Sequence, residues 1–400
     1  MEKGSSGTRR LLFVTGLAWL FDAMDVGMLS FVIAALKEEW QLNELQMGWI
    51  GSVSSIGMAV GAVFFGFLAD RMGRKDVLVF TVLLFSIGTG FSALTTGYTL
   101  FVILRFFVGA GLGGELPVAS TLVSENVAAQ TRGRTVVLLE SFWAGGWIIA
   151  ALISYFVIPS WGWRIALLIA SLPAFYALYL RAGLYESAEY RQRVRQEKPK
   201  LLQSLMALWG ANYRRATLML WIVWFMVVFS YYGMFLWMPS VIALKGYSLV
   251  HSFGYTLLMT CAQLPGYFAA AWLVEKAGRK WVLSLFLVGT ALSALGFGTA
   301  TNLSMLLLSG ILLSFFNLGA WGALYAYSPE QYPTVIRATG SGIAGGIGRL
   351  GGIFGPLMVG SLLAAGSSFA VIFSIFCGAI LIAVLAIIFL GKETKGLELD

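Results

Sequence analysis

At 400 residues, 58% hydrophobic and only 12% charged, with a mean hydropathy of +0.82, the chain is too apolar for a water-soluble globule; ordinary soluble domains are roughly 25% charged. Its formal charge of +8 does not point to nucleic acid, because all but five of its 27 Lys and Arg fall in the N-terminal stretch, every second loop and the C-terminal stretch. The five are Lys37, Arg164 and Lys245 in the alternate loops, and Arg105 and Arg349 inside apolar runs. This positive-inside bias predicts a multi-pass protein of the cell membrane with both termini cytoplasmic.

The apolar runs approach the roughly 20 residues that cross a bilayer as helix. They lack the two-residue alternation of barrel strands, and a helix satisfies its own backbone polar groups in lipid. Twelve spans are predicted, at 11–36, 46–69, 77–95, 99–122, 135–158, 163–181, 216–241, 252–273, 281–298, 302–327, 338–363 and 368–391. The first follows Arg9-Arg10, is too long for a signal-peptide core and has no small-residue cleavage pattern, so it is expected to stay. The one long connection, 182–215, is basic and divides the chain into six-helix bundles at 1–181 and 216–400. Cys261 and Cys377 lie within apolar runs and offer neither a disulfide framework nor a metal site.

The halves are related. The charged turn at 66–75 returns at 271–280, and the same shift takes Glu125 to Glu330 and Arg132 to Arg337. Internal duplication in a multi-span protein indicates a transporter with its substrate site between the halves. Glycines four apart, at Gly57/Gly61, Gly109/Gly113 and Gly342/Gly346, suit close helix packing.

The loop Gly66-x-x-x-Asp70-Arg71-x-Gly73-Arg74-Lys75 resembles the signature between the second and third helices of major facilitator superfamily transporters, and the resemblance spans nearly the whole chain. The second copy departs from it, with Ala271 in place of the glycine. The resemblance implies the major facilitator fold: all-α, twelve membrane helices in two pseudo-symmetric bundles. It also implies a cytoplasmic gate that stabilises the outward-open state. Its members would be Gly66, Asp70, Arg71, Gly73, Arg74, Glu125 and Arg134, with Glu275, Arg279, Glu330 and Arg337 in the second half. Asp70 would approach the positively polarised start of the eleventh helix. The run from Arg105 through Glu115 to Pro117, with Glu125 and 132–134 after it, resembles the fourth helix of the sugar-porter and organic-ion branches.

An ionisable side chain at mid-membrane costs ~2.5–3.5 kcal/mol on the mildest scale and calls for a partner or a wet cavity. Six stand out: Asp22, Asp25, Arg105, Glu115, Glu140 and Arg349. Asp22 and Asp25 lie about 60° apart on a helix and can face one interior. Residues 21–25 resemble the double-aspartate signature of aromatic-acid/proton symporters, with Ala23 for its glycine. By resemblance to sugar/proton symporters, Asp25 pairs with Arg105 and couples protons. Arg349 has no acid near it in sequence, and its fork suits a substrate carboxylate; pairing with Glu115 or Asp25 is the alternative. Glu140 and Tyr231-Tyr232 stand where sugar porters carry glutamines, which argues against a hexose. Aromatic lining is expected from Tyr231, Tyr232, Phe142, Trp143, Trp147, Trp321 and Tyr325.

Residues 111–117 with the double-aspartate helix resemble bacterial niacin transporters, which implies nicotinate. The leading expectation is therefore proton-coupled import of a small aromatic carboxylate. A drug/proton exporter of the same fold and a sugar symporter are the rivals. The expected partners are that substrate, protons and the bilayer, for a monomer without nucleic acid, metal or cofactor. An enzyme is disfavoured: the single histidine, His251, is expected in an external loop, and no nucleophile–base pair is evident.

Overall fold

The computed structural model describes residues 5–72, 74–126, 132–173, 175 and 206–395. Within those ranges the side chains of 5–12, 14–15, 66–67, 69–72, 74–75, 78, 114–126, 132–137, 334–335 and 338 lie outside the described residues. So do Gly73 and most of the 182–215 connection.

Among the described residues, thirteen helices follow in chain order: α1 (Ser5–Trp40), α2 (Glu44–Met72), α3 (Arg74–Ser92), α4 (Tyr98–Asn126), α5 (Arg132–Ala170), α6 (Arg214–Phe235), α7 (Met238–Leu244), α8 (Leu249–Cys261), α9 (Gln263–Ala277), α10 (Arg279–Thr299), α11 (Leu303–Glu330), α12 (Thr334–Ala364) and α13 (Phe369–Leu390). Among the described residues, nine helices are long and apolar enough to cross a membrane, and two shorter apolar stretches accompany them at Val79–Ser92 and Tyr98–Gly113.

Four predicted spans are built differently. The fifth and sixth run on as α5, turned at Gly162, whose φ of 81° falls in the left-handed region that glycine adopts at little cost. The seventh and eighth are each broken in two. Proline lacks an N–H and its ring clashes with the carbonyl four residues back. Accordingly α6 ends at Phe235, four before Pro239, and α8 ends at Cys261, four before Pro265. His251 lies not in a loop but in the first turn of α8, where its N–H donates to the capping Ser248.

Two bundles result. In the first, α2 packs on α4 and α1 on α5; in the second, α6 packs on α12 and α10 on α11 and α13. The α2–α4 seam explains the glycine spacing, since a Cβ at Gly57, Gly61, Gly109 or Gly113 would overlap the opposing backbone. The bundles meet where α2 faces α12 and where α5 faces α8, α9 and α11.

That meeting is uneven. At one end, a Cβ on Gly48 of α2 would lie 2.8 Å from the Pro356 carbonyl oxygen of α12, and one on Gly360 would sit 3.2 Å from the Gly48 Cα. Ser52 Oγ donates to Ile353 O at 2.6 Å, and Phe31 meets Phe253 edge-on at 5.2 Å. At the other end of α12, Cβ atoms on Gly342, Gly345 or Gly346 would meet nothing within 4 Å among the described residues. Unlike the other spaced glycines, Gly342 and Gly346 therefore meet no neighbouring helix among the described residues.

Candidate functional site

Three buried side chains on three helices form the first centre. Asp25 of α1 is 1% exposed and Arg105 of α4 is 0% exposed. Arg105 Nη1 donates to Asp25 Oδ2 at 3.2 Å, and Nη2 donates to Thr89 Oγ1 of α3 at 3.0 Å. Thr89 in turn donates to Asp25 Oδ1 at 2.5 Å. The carboxylate, hydroxyl and guanidinium thus close a triangle, with the Phe101 ring 5.7 Å from the guanidinium carbon. Desolvating two charges is repaid only when geometry and extra hydrogen bonds are good, and Thr89 supplies the extra bonds. Sequence pointed to the pair but not to Thr89, which reads there as one more small residue among Gly88 and Gly90.

A narrow crevice lined by Asp25, Ser54, Ser55, Met58 and Tyr232 leads from this centre to the interface of the bundles. There the aromatic residues gather. Trp143 Nε1 of α5 donates to the Tyr231 hydroxyl of α6 at 2.7 Å, a hydrogen bond between the halves. Tyr231 also packs on Trp321 at 4.8 Å and on Tyr232 at 5.2 Å, and the Trp147 and Trp321–Tyr325 rings extend the wall. Phe142 is not part of it; its ring packs on Gly16 and Phe13 of α1.

Arg349 of α12 is half-buried at the edge of this wall. It lies within electrostatic reach of the Tyr232 and Tyr325 hydroxyls. Among the described residues it has no hydrogen-bond or ion-pair partner, and Asp25, one of its candidate partners, is taken by Arg105. Asp22 is buried, with its charge felt at the Tyr232 hydroxyl. Glu140 is 2% exposed and flanked by the indoles of Trp19 and Trp321, although neither N–H reaches it in hydrogen-bond geometry.

Of the expected gate, only the second-half members have described side chains. Arg279 pairs with Glu330 at 3.2 Å and with Glu275 at 3.6 Å, and Arg337 Nε donates to Tyr332 O. The segment after α13, unmarked in the sequence reading, ties this cluster together. Glu393 accepts from the Arg279 and Lys280 N–H groups at the start of α10, Thr394 donates to Glu330, and the Lys392 carbonyl accepts from Tyr327. The turn into α10 is made by Gly278 at φ 93°. Gly73 lies outside the described residues, as do the side-chain positions of Gly66, Asp70, Arg71, Arg74, Glu115, Glu125 and Arg134.

The family model described as Major Facilitator Superfamily matches residues 15–262 and 251–399. The chain belongs to the Major Facilitator Superfamily. Within this superfamily it is 65% identical to the Bacillus subtilis protein provisionally named niacin/nicotinamide transporter NiaP, with 98% of each chain covered. It is 47% identical to the niacin transporter NiaP of Acinetobacter baylyi, covering 98% of this chain and 95% of that one. Among solved structures, the partially occluded inward-open xylose transporter XylE of E. coli superposes with a TM-score of 0.79 at 20% identity, over 99% of this chain and 100% of that one. That likeness establishes the twelve-helix major facilitator fold; the superfamily and its named relatives make this a secondary transporter of the cell membrane.

Proposed function

We propose that the chain imports a small aromatic carboxylate, with nicotinate as the leading candidate, by proton-coupled alternating access between bundles 1–181 and 216–400. The observation that carries this reading is the Arg349 guanidinium, set beside a wall of aromatic rings with no ion-pair partner among the described residues. A guanidinium can hold a carboxylate by two parallel hydrogen bonds, while Tyr231, Tyr232, Trp143 and Trp321 offer faces for a flat ring. The names of the two bacterial relatives support the same choice. With the positive-inside orientation, the Gly342 end of α12 faces the cytoplasm.

Coupling is assigned to Asp25. Removing a charge-assisted partner of Arg105 by protonation loosens the triangle with Thr89, and the crevice links that change to Tyr232. Asp22 is placed as a second acid on the same path, and the gate residues above as the cytoplasmic latch. Asp25→Asn is expected to lose uphill uptake yet keep exchange of internal for external substrate; full uphill uptake would remove Asp25 from the mechanism.

The deciding experiment is binding of nicotinate and its neutral analogue nicotinamide to purified protein. A charge-assisted bidentate pair is worth roughly 1.5–3 kcal/mol. Arg349→Ala should therefore weaken nicotinate about ten- to a hundredfold, and Arg349→Lys, which keeps the charge but not the fork, should also be impaired. Nicotinamide should bind the parent more weakly and be nearly indifferent to the change. Equal binding of the two ligands, or equal weakening of both by Arg349→Ala, would make Arg349 structural.

A further inference from the structure

The same wall carries a concentration of buried polar atoms that the carboxylate clamp does not use. Glu140 Oε2, the Tyr267 hydroxyl, both polar atoms of the Gln263 amide and both of the Asn317 amide are enclosed without a hydrogen-bond partner among the described residues. All four residues are at most 2% exposed. Buried polar groups are overwhelmingly paired in native proteins, and each one left unpaired is costly.

They converge for simple geometric reasons. Gln263 and Tyr267 are one turn apart on a single face of α9, and Asn317 lies one turn before Trp321 on α11. The two helices are in direct contact, since a Cβ on Gly319 of α11 would sit 2.8 Å from the Gly266 carbonyl oxygen of α9. From the other bundle α5 brings Glu140, which acts electrostatically on the Tyr267 hydroxyl. Tyr325 feels both Glu140 and Arg349, so the cation and the acid border one aromatic space.

We propose that Tyr267 and Glu140, backed by Gln263 and Asn317, form a second recognition pole that reads the ring nitrogen of the substrate, so that the transporter selects pyridine carboxylates over benzene carboxylates. The inference rests on the Arg349 reading. The carboxylate is held by Arg349, and the Tyr267 O–H donates to the lone pair of the ring nitrogen, which lies meta to the carboxylate. A benzene ring presents a C–H at that position and leaves the same groups buried and unpaired. Sites built to hydrogen-bond a ligand discriminate strongly against analogues that lack the group.

The test compares nicotinate with benzoate, which differ only at the ring nitrogen, by calorimetric binding to the purified full chain. The parent is expected to prefer nicotinate by at least about tenfold. Tyr267→Phe, which keeps the ring and its volume, should collapse that ratio towards one by weakening nicotinate and leaving benzoate unchanged. Glu140→Leu, of similar size without polar atoms, should do the same. Arg349→Ala should weaken both ligands alike and leave the ratio standing, so failure of the carboxylate clamp is distinguishable from failure of the nitrogen pole. A parent that binds both ligands equally overturns the proposal without any variant. So does a Tyr267→Phe protein that weakens both by the same factor.

Discussion

The two ends of α12 are both rich in glycine and behave in opposite ways. From Gly348 to Gly360 the helix is pressed against α6 and α2, with backbone nearly on backbone. From Gly342 to Gly346 the same residue type meets no neighbour among the described residues. The small-residue spacing is one signal with two uses. At one end it permits the contact that closes the bundles, and at the other it leaves a surface ready for contact in a different state. A transporter that alternates between openings needs both at once.

The largest way to break this contrast is to fill the closed end. Gly360→Leu would drive a side chain into the Glu44 backbone. Overpacking of this kind costs about 1–3 kcal/mol, a shift of roughly five- to more than a hundredfold against the state seen here. Uptake should fall accordingly, and a cysteine at Ser52 should become reactive towards an impermeant thiol reagent added outside. Unchanged uptake would mean that this seam does not form during transport.

A change of opposite sign is expected at the open end. Gly346→Ala meets no neighbour among the described residues, and alanine is favoured over glycine in a helix by ~0.8–1.0 kcal/mol. Thermal unfolding of the purified protein should therefore shift upwards, whereas a destabilised Gly346→Ala protein would show that this end is already packed. Transport should slow, because the added methyl opposes closure of that end.

The smallest effect sharpens the closed end further. A hydrogen bond from Lys37 at 3.0 Å holds the Glu44 carboxyl below its ordinary range. A depressed carboxylate contributes stability that is present above its unfolded-state value near 4.5 and is lost as pH falls through the folded one. The pair is partly exposed, so it is worth only about 0.2–1 kcal/mol. Lys37→Met should lower the neutral-pH melting temperature slightly and leave the value in acid, where Glu44 is protonated, nearly unchanged, so the acid-side fall becomes a little smaller. An undiminished acid-side fall would show that the pair contributes nothing to the seam.

Much of this was legible in the residues. Long apolar runs and the asymmetric placement of Lys and Arg led to the helical membrane fold, and buried charge led to Asp25 and Arg105. The breaks near Pro239 and Pro265 carried a signal too, because proline lacks an N–H and clashes with the carbonyl four residues back, although Pro329 and Pro356 stand inside unbroken helices. Thr89 could not be read: a hydroxyl in an apolar run serves its own helix backbone as readily as a distant carboxylate, and only the three-dimensional packing decides. The Gln263–Tyr267 pair carried a usable signal, two polar residues on one face of an otherwise apolar stretch. Glu393 carried none that outweighed a charged tail in water.

That tail has a consequence for biosynthesis. The residues that tie α10, α11 and the Arg279–Glu330 pair together come after all the described membrane spans. Ribosomal synthesis and membrane insertion can thus deliver all the spans before this corner of the protein is fastened. A chain cut short at Gly391 would carry its full complement of spans and still present an unfinished cytoplasmic corner, a defect that cellular quality control could detect although insertion itself had succeeded.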